Sequence, residues 1–158
     1  AHAESMFTVP LEDMQKEQEL FDSAKHESFN YSIAYNEREV YKDTSLSRVV
    51  ERLKKLDRDV VFAVGYEEVR EKGKEPRKVV AIKARSNDRG ANTVDVDAIM
   101  KNFGGGGDVM RAAAIVETDN ILSVVEAIGK TLKPGLSIID TNEAKVKVYE
   151  FIRRRRNK

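Results

Sequence analysis

The sequence predicts an α/β (α+β) domain in which helices pack on a small mixed β-sheet. Three observations favour this class. Segments with apolar residues at helical spacing alternate with short apolar, β-branched runs that are typical of strands. Two of those runs, Val60–Tyr66 and Val79–Ala84, are joined by a polar turn, which predicts an antiparallel pair. With 158 residues and 41% hydrophobic content, the chain can form the core of one compact domain.

The first half of the chain predicts a helix, a strand and a second helix. Apolar residues recur at helical spacing from Leu11 to about Lys25, directly after Pro10, a position where proline is tolerated. Phe29 to Tyr35 alternates larger apolar side chains with small or polar ones, which is the period of a half-buried strand. Asp43 begins the next helix, and one face of that helix carries Leu46, Val49, Val50, Leu53 and Leu56.

The second half of the chain predicts the hairpin, two helices and a further strand. The charged residues 67–78 form an exposed connection between the hairpin strands. A polar loop over residues 86–93 leads to a helix, a glycine run and a strand from Ala112 to Glu117. Asp119 or Asn120 caps a final helix that runs to Leu132. The apolar residues in register are Val96, Ile99, Met100 and Phe103 in the first of these helices, and Ile121, Val124, Val125, Ile128 and Leu132 in the second.

The two ends of the sequence are set apart from this domain. Residues 1–5 precede a methionine and resemble a leftover of recombinant expression. Residues 6–133 form the predicted domain, although the sequence is also compatible with a piece of a longer natural chain. Residues 134–158 form a C-terminal appendage in which strand and helix signals conflict. Its basic run, Arg153 to Arg156, is expected to be solvated or to contact a polyanion.

Composition excludes several classes of function. The chain has 28 basic and 27 acidic residues, so its net charge of +1 argues against a general nucleic-acid coat but permits a local basic site. The absence of cysteine excludes a disulfide framework, a thiolate metal site and a cysteine nucleophile. No segment approaches the roughly 20 apolar residues that span a bilayer, and no apolar signal segment begins the sequence. A soluble, cytoplasmic protein without membrane contact is expected.

Four consecutive glycines, Gly104 to Gly107, are the most unusual feature of the sequence. Glycine allows another molecule to approach the backbone closely, but it increases the entropy cost of folding. The run follows a predicted helix and precedes Asp108, a suitable N-cap for a short further helix. A loop between two helix ends exposes N–H groups that can receive an anion. We therefore predict a phosphate-binding loop; the alternative is that the glycines only end one helix and form a tight turn.

Other catalytic motifs are missing. The sequence has two histidines, His2 and His26, and no cluster of carboxylates and imidazoles for a two-metal site. No Lys-Ser/Thr pair follows the glycines as in a phosphate-binding Walker loop, and the acidic segments lack the spacing of a calcium loop. A Ser-His-Asp arrangement would need His26 as its base, and no matching nucleophile is evident. We predict no catalytic residue and no metal ligand in this chain.

One combination of segments resembles a known family. A strand ending in Ala84-Arg85-Ser86, the Val94-Asp95-Val96 segment, the Ile99-Met100-x-x-Phe103 helix, the glycine run and the following alanines are similar to the DHH-associated C-terminal domain. That domain is the substrate-binding half of DHH-family phosphoesterases, which include RecJ-type nucleases, oligoribonucleases that cleave pAp, and cyclic-di-AMP phosphodiesterases. The spacing is most similar to the cyclic-di-AMP group. The resemblance is specific over residues 60–132, weaker over residues 11–55, and absent after residue 134.

The resemblance implies a nucleotide or short oligonucleotide as ligand and an N-terminal DHH catalytic domain as partner. In the family that catalytic domain holds two divalent metals, typically Mn²⁺. By position, Arg85 and Ser86 would contact a phosphate, which suits the bidentate geometry of a guanidinium. Gly104, Gly105, Gly106 and Gly107 would surround the nucleotide with backbone N–H groups. Asp108 and Arg111 complete the predicted substrate-binding residues.

The sequence departs from the family in two respects. Asp108 stands where the family usually has a histidine, and a carboxylate there repels phosphate unless it is protonated, bound to a metal or turned away as a helix cap. The cap is the role we expect, and the nearby Arg111 could restore positive charge. No DHH tripeptide or comparable Asp/His cluster occurs, so the chain by itself is not expected to hydrolyse a phosphodiester by the two-metal mechanism.

These departures keep two other functions open. One is a non-catalytic module for nucleotide sensing or protein interaction on the same fold. The other is a nucleic-acid-binding appendage, since the related domain also occurs in alanyl-tRNA synthetases and RecJ-type nucleases. The sequence leaves open which nucleotide binds and whether the chain forms a homodimer.

Overall fold

The computed structural model describes residues 9–28 and 30–132. The elements follow in an alternating order that matches the predicted class. In chain order they are α1 (Leu11–Asp22), β1 (Lys25–Glu27), β2 (Tyr31–Val40), α2 (Asp43–Lys54), β3 (Val60–Val69), β4 (Arg77–Ser86), a 3₁₀ helix (Gly90–Asn92), α3 (Val96–Lys101), β5 (Gly106–Gly107), β6 (Arg111–Val116) and α4 (Ile121–Leu132).

The strands form one mixed sheet in the order β1-β2-β3-β4-β6-β5. Strands β2 and β3 run parallel because α2 crosses over between them, and every other neighbouring pair is antiparallel. The predicted hairpin is confirmed: β3 and β4 pair without a break from Val60 opposite Ser86 to Val69 opposite Arg77. This hairpin forms the centre of the sheet.

Helices cover both faces of the sheet. Alternate residues of β4 point to opposite faces, so that Val80 and Ile82 pack with α3 and α4 while Ala81 packs with α1 and α2. The predicted apolar residues of α2, α3 and α4 are fully or partly buried in one of the two cores, with Leu56 as the exception. In α1 the prediction is wrong for the first turn, where Leu11 and Met14 are 69% and 52% exposed. Leu56 lies beyond the end of α2 and is 43% exposed. The structure is therefore a mixed sheet between two layers of helices.

A buried carboxylate joins α1 to α2. Glu17 is only 6% exposed and accepts hydrogen bonds from Nε and Nη2 of Arg48, each at 2.8 Å. The Ser45 hydroxyl donates a third bond to the same carboxylate at 2.9 Å. Burying a charged group is costly unless it is paired and hydrogen-bonded, and these donors meet that requirement. The two helices are therefore held together by a specific contact as well as by apolar packing.

The boundaries of several elements differ from the prediction. Helix α1 ends at Asp22, because residues Lys25–Glu27 pair with β2 as the unpredicted strand β1. Strand β2 continues to Val40, and Phe29, where the prediction began that strand, lies outside the described residues. Strands β3 and β4 extend into the charged segment, since each continues the pairing of the other. The exposed connection is therefore shorter, over residues 70–76.

The predicted short helix after Asp108 is wrong. The chain instead forms the two-residue strand β5, a tight turn and β6, because the glycines pair directly with the alanines of the next strand. Of the two predicted caps for α4, the structure shows Asn120 in this role: its Oδ1 accepts a hydrogen bond from the backbone N–H of Ser123 at 3.2 Å.

Several predictions fall on residues that the structure does not describe. They are the leftover segment 1–5, the chain break at Pro134-Gly135 and the appendage 134–158 with its basic run. The division into these segments stays a prediction. Among residues 9–28 and 30–132, no helix combines the length and apolar character that crossing a bilayer requires.

Two positions on α4 test the assignment of the core. Ile128 is fully buried, whereas Leu122 on the same helix is 46% exposed. We expect Ile128→Ala to lower the free energy of unfolding by about 2–5 kcal/mol, because it removes buried methylene groups and leaves a cavity. Leu122→Ala, the matched control, should lower the free energy of unfolding by well under half as much. Chemical denaturation of both variants measures the difference, and equal losses would contradict the assigned packing.

Candidate functional site

A groove of about 420 Å³ lies between α2 and the strands β4, β5 and β6. It exists because α2 packs on β3 and β4 and leaves the same face of β6 uncovered, where Ile115 is 56% exposed. Helix and strands each contribute polar groups. The groove is lined by Asp43, Ser47, Lys83, Arg85, Gly106, Gly107, Asp108, Arg111, Ala112 and Ala113.

Five of the eight predicted binding residues line this groove, namely Arg85, Gly106, Gly107, Asp108 and Arg111. The other three, Ser86, Gly104 and Gly105, are not among its lining residues. Ser86 is fully buried, and its hydroxyl donates to the carbonyl of Val109 at 3.1 Å. Its role in this structure is to fix the turn that leads into β6. A ligand contact by any of the eight residues stays a prediction.

Arg85 is almost completely enclosed, with 3% of its surface exposed. Its Nε donates to Oε1 of Glu51 on α2 at 2.7 Å, and its Nη1 donates to the carbonyl of Ala84 at 2.8 Å. The hydrogen bond from Arg85 holds the pKa of Glu51 below its ordinary value, and the charges of Arg85, Lys54 and Arg111 add to this effect. The arginine predicted to meet a phosphate is thus already paired with a carboxylate.

The glycine segment has a structural reason of its own. A Cβ on Gly105 would lie 2.1 Å from the carbonyl oxygen of Ala113, and one on Gly107 would lie 2.3 Å from that of Arg111. Both distances are far shorter than a van der Waals contact. Gly104 has a φ of +79°, a conformation that other residues adopt only with strain. The run of glycines therefore lets β5 approach β6 and turns the chain after α3.

Besides the pairing of β5 with β6, the N–H groups of Gly104, Gly105 and Gly107 are used within the protein. Those of Gly104 and Gly105 donate to carbonyls at the end of α3, at 3.2 and 3.0 Å. That of Gly107 donates to Oδ1 of Asp97 at 2.9 Å, and this bond contributes to a lowered pKa of Asp97 after the larger effect of Lys101. This differs from the predicted ring of N–H groups around a nucleotide. The N–H groups of Gly104, Gly105 and Gly107 already have acceptors within the protein and do not form a row of free donors.

Asp108 closes the turn between β5 and β6. Its Oδ1 accepts hydrogen bonds from the backbone N–H groups of Met110 and Arg111 at 3.0 and 2.9 Å. Its own N–H donates to the carbonyl of Arg111 at 2.8 Å. The carboxylate caps a turn, where the sequence predicted the cap of a helix. Two backbone dipoles directed at this carboxylate reduce the repulsion that it would exert on an anion in the groove.

The charges around the groove are balanced. Arg111 is exposed and lies directly opposite Arg85 in the pairing of β4 with β6. Residues that face each other across neighbouring strands have adjacent side chains, and like charges in such a pair repel. Lys83 forms an ion pair with Asp43 at 2.5 Å. Three cations from β4 and β6 therefore face three carboxylates, those of Asp43, Glu51 and Asp108.

Four of the polar residues at the groove were not predicted from the sequence. Asp43, Ser47 and Glu51 recur every four residues on α2 and so lie along one stripe of that helix. Lys83 precedes Arg85 by two residues and so shares its face of β4. Both spacings are visible in the sequence. Nothing in the sequence says that this stripe and this strand face belong to the same groove.

The residues of the described chain do not fit the two Mn²⁺ ions that the family resemblance implies for its catalytic domain. Within residues 9–28 and 30–132, no group of three or more His, Cys, Asp and Glu side chains could hold a metal ion. His26 lies on β1, where its Nδ1 is 2.7 Å from the hydroxyl of Ser32. We therefore derive no metal-dependent step from these residues.

Comparisons with known proteins find a distant likeness in structure but none in sequence. No family model matches the sequence, and no curated protein matches it. The structure is similar to a pGpG-specific phosphodiesterase, PggH from Vibrio cholerae, with a TM-score of 0.43 and 12% sequence identity. The match covers 94% of this chain but 46% of that enzyme, so the chain spans about half of its length. A likeness of this degree determines neither the family nor the function of the chain.

Substitutions of two adjacent glycines test how closely β5 approaches β6. We expect Gly107→Ala to lower the free energy of unfolding by about 1–3 kcal/mol, because the added methyl group overlaps the backbone of β6. Gly106→Ala is the matched control, since its Cβ would meet only a carboxylate oxygen of Asp97 at 3.0 Å and that side chain can move. Denaturation curves of both variants provide the comparison. Equal stability of the two would mean that the approach is looser than described.

The ion pair between Glu51 and Arg85 predicts a pH dependence of stability. Folding lowers the pKa of Glu51 from its ordinary value of 4.5, so the pair stabilises the fold above that pH. This contribution is lost as the pH falls through the lower pKa of the folded state. We expect Glu51→Gln to reduce the free energy of unfolding at about pH 7 and to have little effect near about pH 2. A cost that is independent of pH, measured by denaturation at both values, would refute the charged pairing.

Proposed function

We propose that this chain is the substrate-binding domain of a DHH-type phosphodiesterase that acts on cyclic dinucleotides or short oligonucleotides. The observation that carries the proposal is the meeting of Arg85, Arg111 and the strand Gly106–Gly107 in one groove. The resemblance had assigned these residues to substrate binding from separate parts of the sequence. Their convergence is expected of a binding site.

The chemistry of the groove suits a phosphate group. A guanidinium offers parallel N–H donors that match two oxygens of a phosphate. Arg85 and Arg111 are neighbours across the strand pair, so one phosphate could be shared between them. The volume of about 420 Å³ falls within the usual range of small-molecule sites. The glycine strand leaves room for a flat base or a sugar to approach the backbone.

Under this proposal the chain binds and orients the substrate and does not cleave it. Hydrolysis would take place at a two-metal site in a separate catalytic domain, where the ions would supply an activated water and stabilise the developing charge. Arg85 and Arg111 would hold a phosphate of the substrate, and the glycine strand would lie against the nucleotide. The balanced charge of the groove favours a small ligand over a long nucleic acid, which binds best to an extended basic surface.

Asp108 favours a second candidate, a non-catalytic nucleotide sensor on the same fold. It stands at the position of the histidine that the family uses with its substrate, and its Oδ1 is engaged by the backbone of the turn. Such a module would bind a nucleotide without presenting it for cleavage. An Asp108→His variant separates the two candidates: a gain in nucleotide affinity would show that the groove binds in the family's mode, whereas unchanged or weaker binding by the folded variant would favour a sensor that has departed from it.

Calorimetric titration with cyclic-di-AMP, pApA and pAp tests the proposed function. We expect saturable binding of at least one of them, weakened about tenfold or more in Arg111→Ala, because a charge-assisted hydrogen bond is lost. Arg38→Ala is the matched control: it removes an exposed arginine from β2, two strands away from β4. Binding that both variants weaken equally would place the ligand elsewhere. No saturable binding by the folded protein would contradict the proposal.

A further inference from the structure

The enclosure of Arg85 has a consequence for any anion that binds in the groove. The side chain of Arg85 is only 4% exposed, whereas that of its partner Glu51 is 47% exposed. The carboxylate of Glu51 covers the Nε edge of the guanidinium, where its Oε1 accepts a hydrogen bond at 2.7 Å. A phosphate can use that edge of Arg85 only after the carboxylate has left it.

Glu51 also interacts with the second arginine of the groove. Arg111 lies directly opposite Arg85 on the neighbouring strand. The hydrogen bond from Arg85 is the main cause of the lowered pKa of Glu51, and the charge of Arg111 adds a smaller effect. Two guanidiniums that act on one anion are the arrangement that a phosphate site requires. In this structure the anion paired with Arg85, next to Arg111, is the protein's own Glu51.

We propose that Glu51 occupies the position of a phosphate between Arg85 and Arg111, and that a ligand anion binds there by displacing it. This inference rests on the function proposed above and specifies how the same site selects its ligand. Glu51 is a built-in competitor: only a group that satisfies the guanidiniums better than a carboxylate enters the groove. A terminal phosphate, as in pAp or pApA, offers three acceptor oxygens and inorganic phosphate four, so either meets this condition more fully than a carboxylate metabolite does.

The geometry identifies the partner that moves. Arg85 is held by its buried strand and by the bond from its Nη1 to the carbonyl of Ala84. Glu51 lies on the exposed side of α2, and no other hydrogen-bond donor to its carboxylate occurs in the described part of the chain. The carboxylate of Glu51 is half exposed, so water solvates it when it leaves the guanidinium, and the phosphate then takes its place at Arg85. Rotation of Glu51 into solvent is therefore a small cost that a bound phosphate can offset.

A positioning role for Glu51 would have the opposite effect on affinity. If Glu51 only orients Arg85 while an anion binds to the other nitrogens, removal of its charge leaves the guanidinium less ordered and weakens binding. If Glu51 competes with the anion, removal of its charge strengthens binding. The sign of the change in affinity therefore separates the two roles.

The experiment titrates inorganic phosphate and pAp into the wild-type protein, Glu51→Gln and Glu71→Gln. Calorimetry gives the affinities, and the NMR resonance of the Arg85 Nε–H reports directly on its partner. Glu71→Gln is the matched control: it removes one negative charge from an ion pair with Arg77, an arginine on the same strand but about 26 Å away. Circular dichroism confirms that each variant is folded.

We expect Glu51→Gln to bind both ligands about threefold to tenfold more tightly than wild type, with Glu71→Gln unchanged. The Arg85 resonance should shift on addition of phosphate in wild type and in Glu51→Gln. Equal or weaker binding by a folded Glu51→Gln would overturn the competitor role while the proposed function stands. Absence of binding by wild type and by both variants would refute the proposed function, and the competitor role with it.

Discussion

The antiparallel pairing of β3 with β4 is the constraint on which the rest of the structure depends. Because the pairing is continuous over all ten residues of each strand, it fixes which side chains of β4 point to which face. Ile82 and Ala84 go to one core, while Lys83 and Arg85 go to the face of α2. A shift of one residue would bury the two cations in the apolar core. The position of the candidate site thus follows from the register of the hairpin.

The groove arises where one layer of the structure ends. Helix α2 packs on β3 and β4 but not on β6, so its polar stripe faces an uncovered strand instead of another apolar surface. The glycine strand β5 closes the far side, because it can lie against β6 without side chains between them. Cations from the strands and carboxylates from the helix and the turn then face one another. The pairing of Arg85 with Glu51 is one result of this balance.

The elements of the core were predictable because their signals are local. The apolar period of α2 and α4 and the β-branched runs of β3 and β4 identified these elements without tertiary information. Strand β1 could not be predicted in this way, because its residues Lys25–Glu27 form a strand only through pairing with β2. The residues after Asp108 were predicted as a helix for a similar reason. An aspartate that accepts backbone hydrogen bonds is compatible with a helix cap and with a turn, and the pairing of Gly107 with Ala112 decides between them.

The sequence by itself determined the class of the fold, the order of most elements and a set of candidate binding residues, five of which line one groove. These features depend on side-chain periodicity and on residue types, which are properties of short segments. The tertiary structure alone decided that Glu51 pairs with Arg85 and that the glycine N–H groups are already used. Such contacts join residues that are distant in the chain, and many partners are compatible with each of them. The packing of α2 on the sheet decides which of these charged side chains pair with each other.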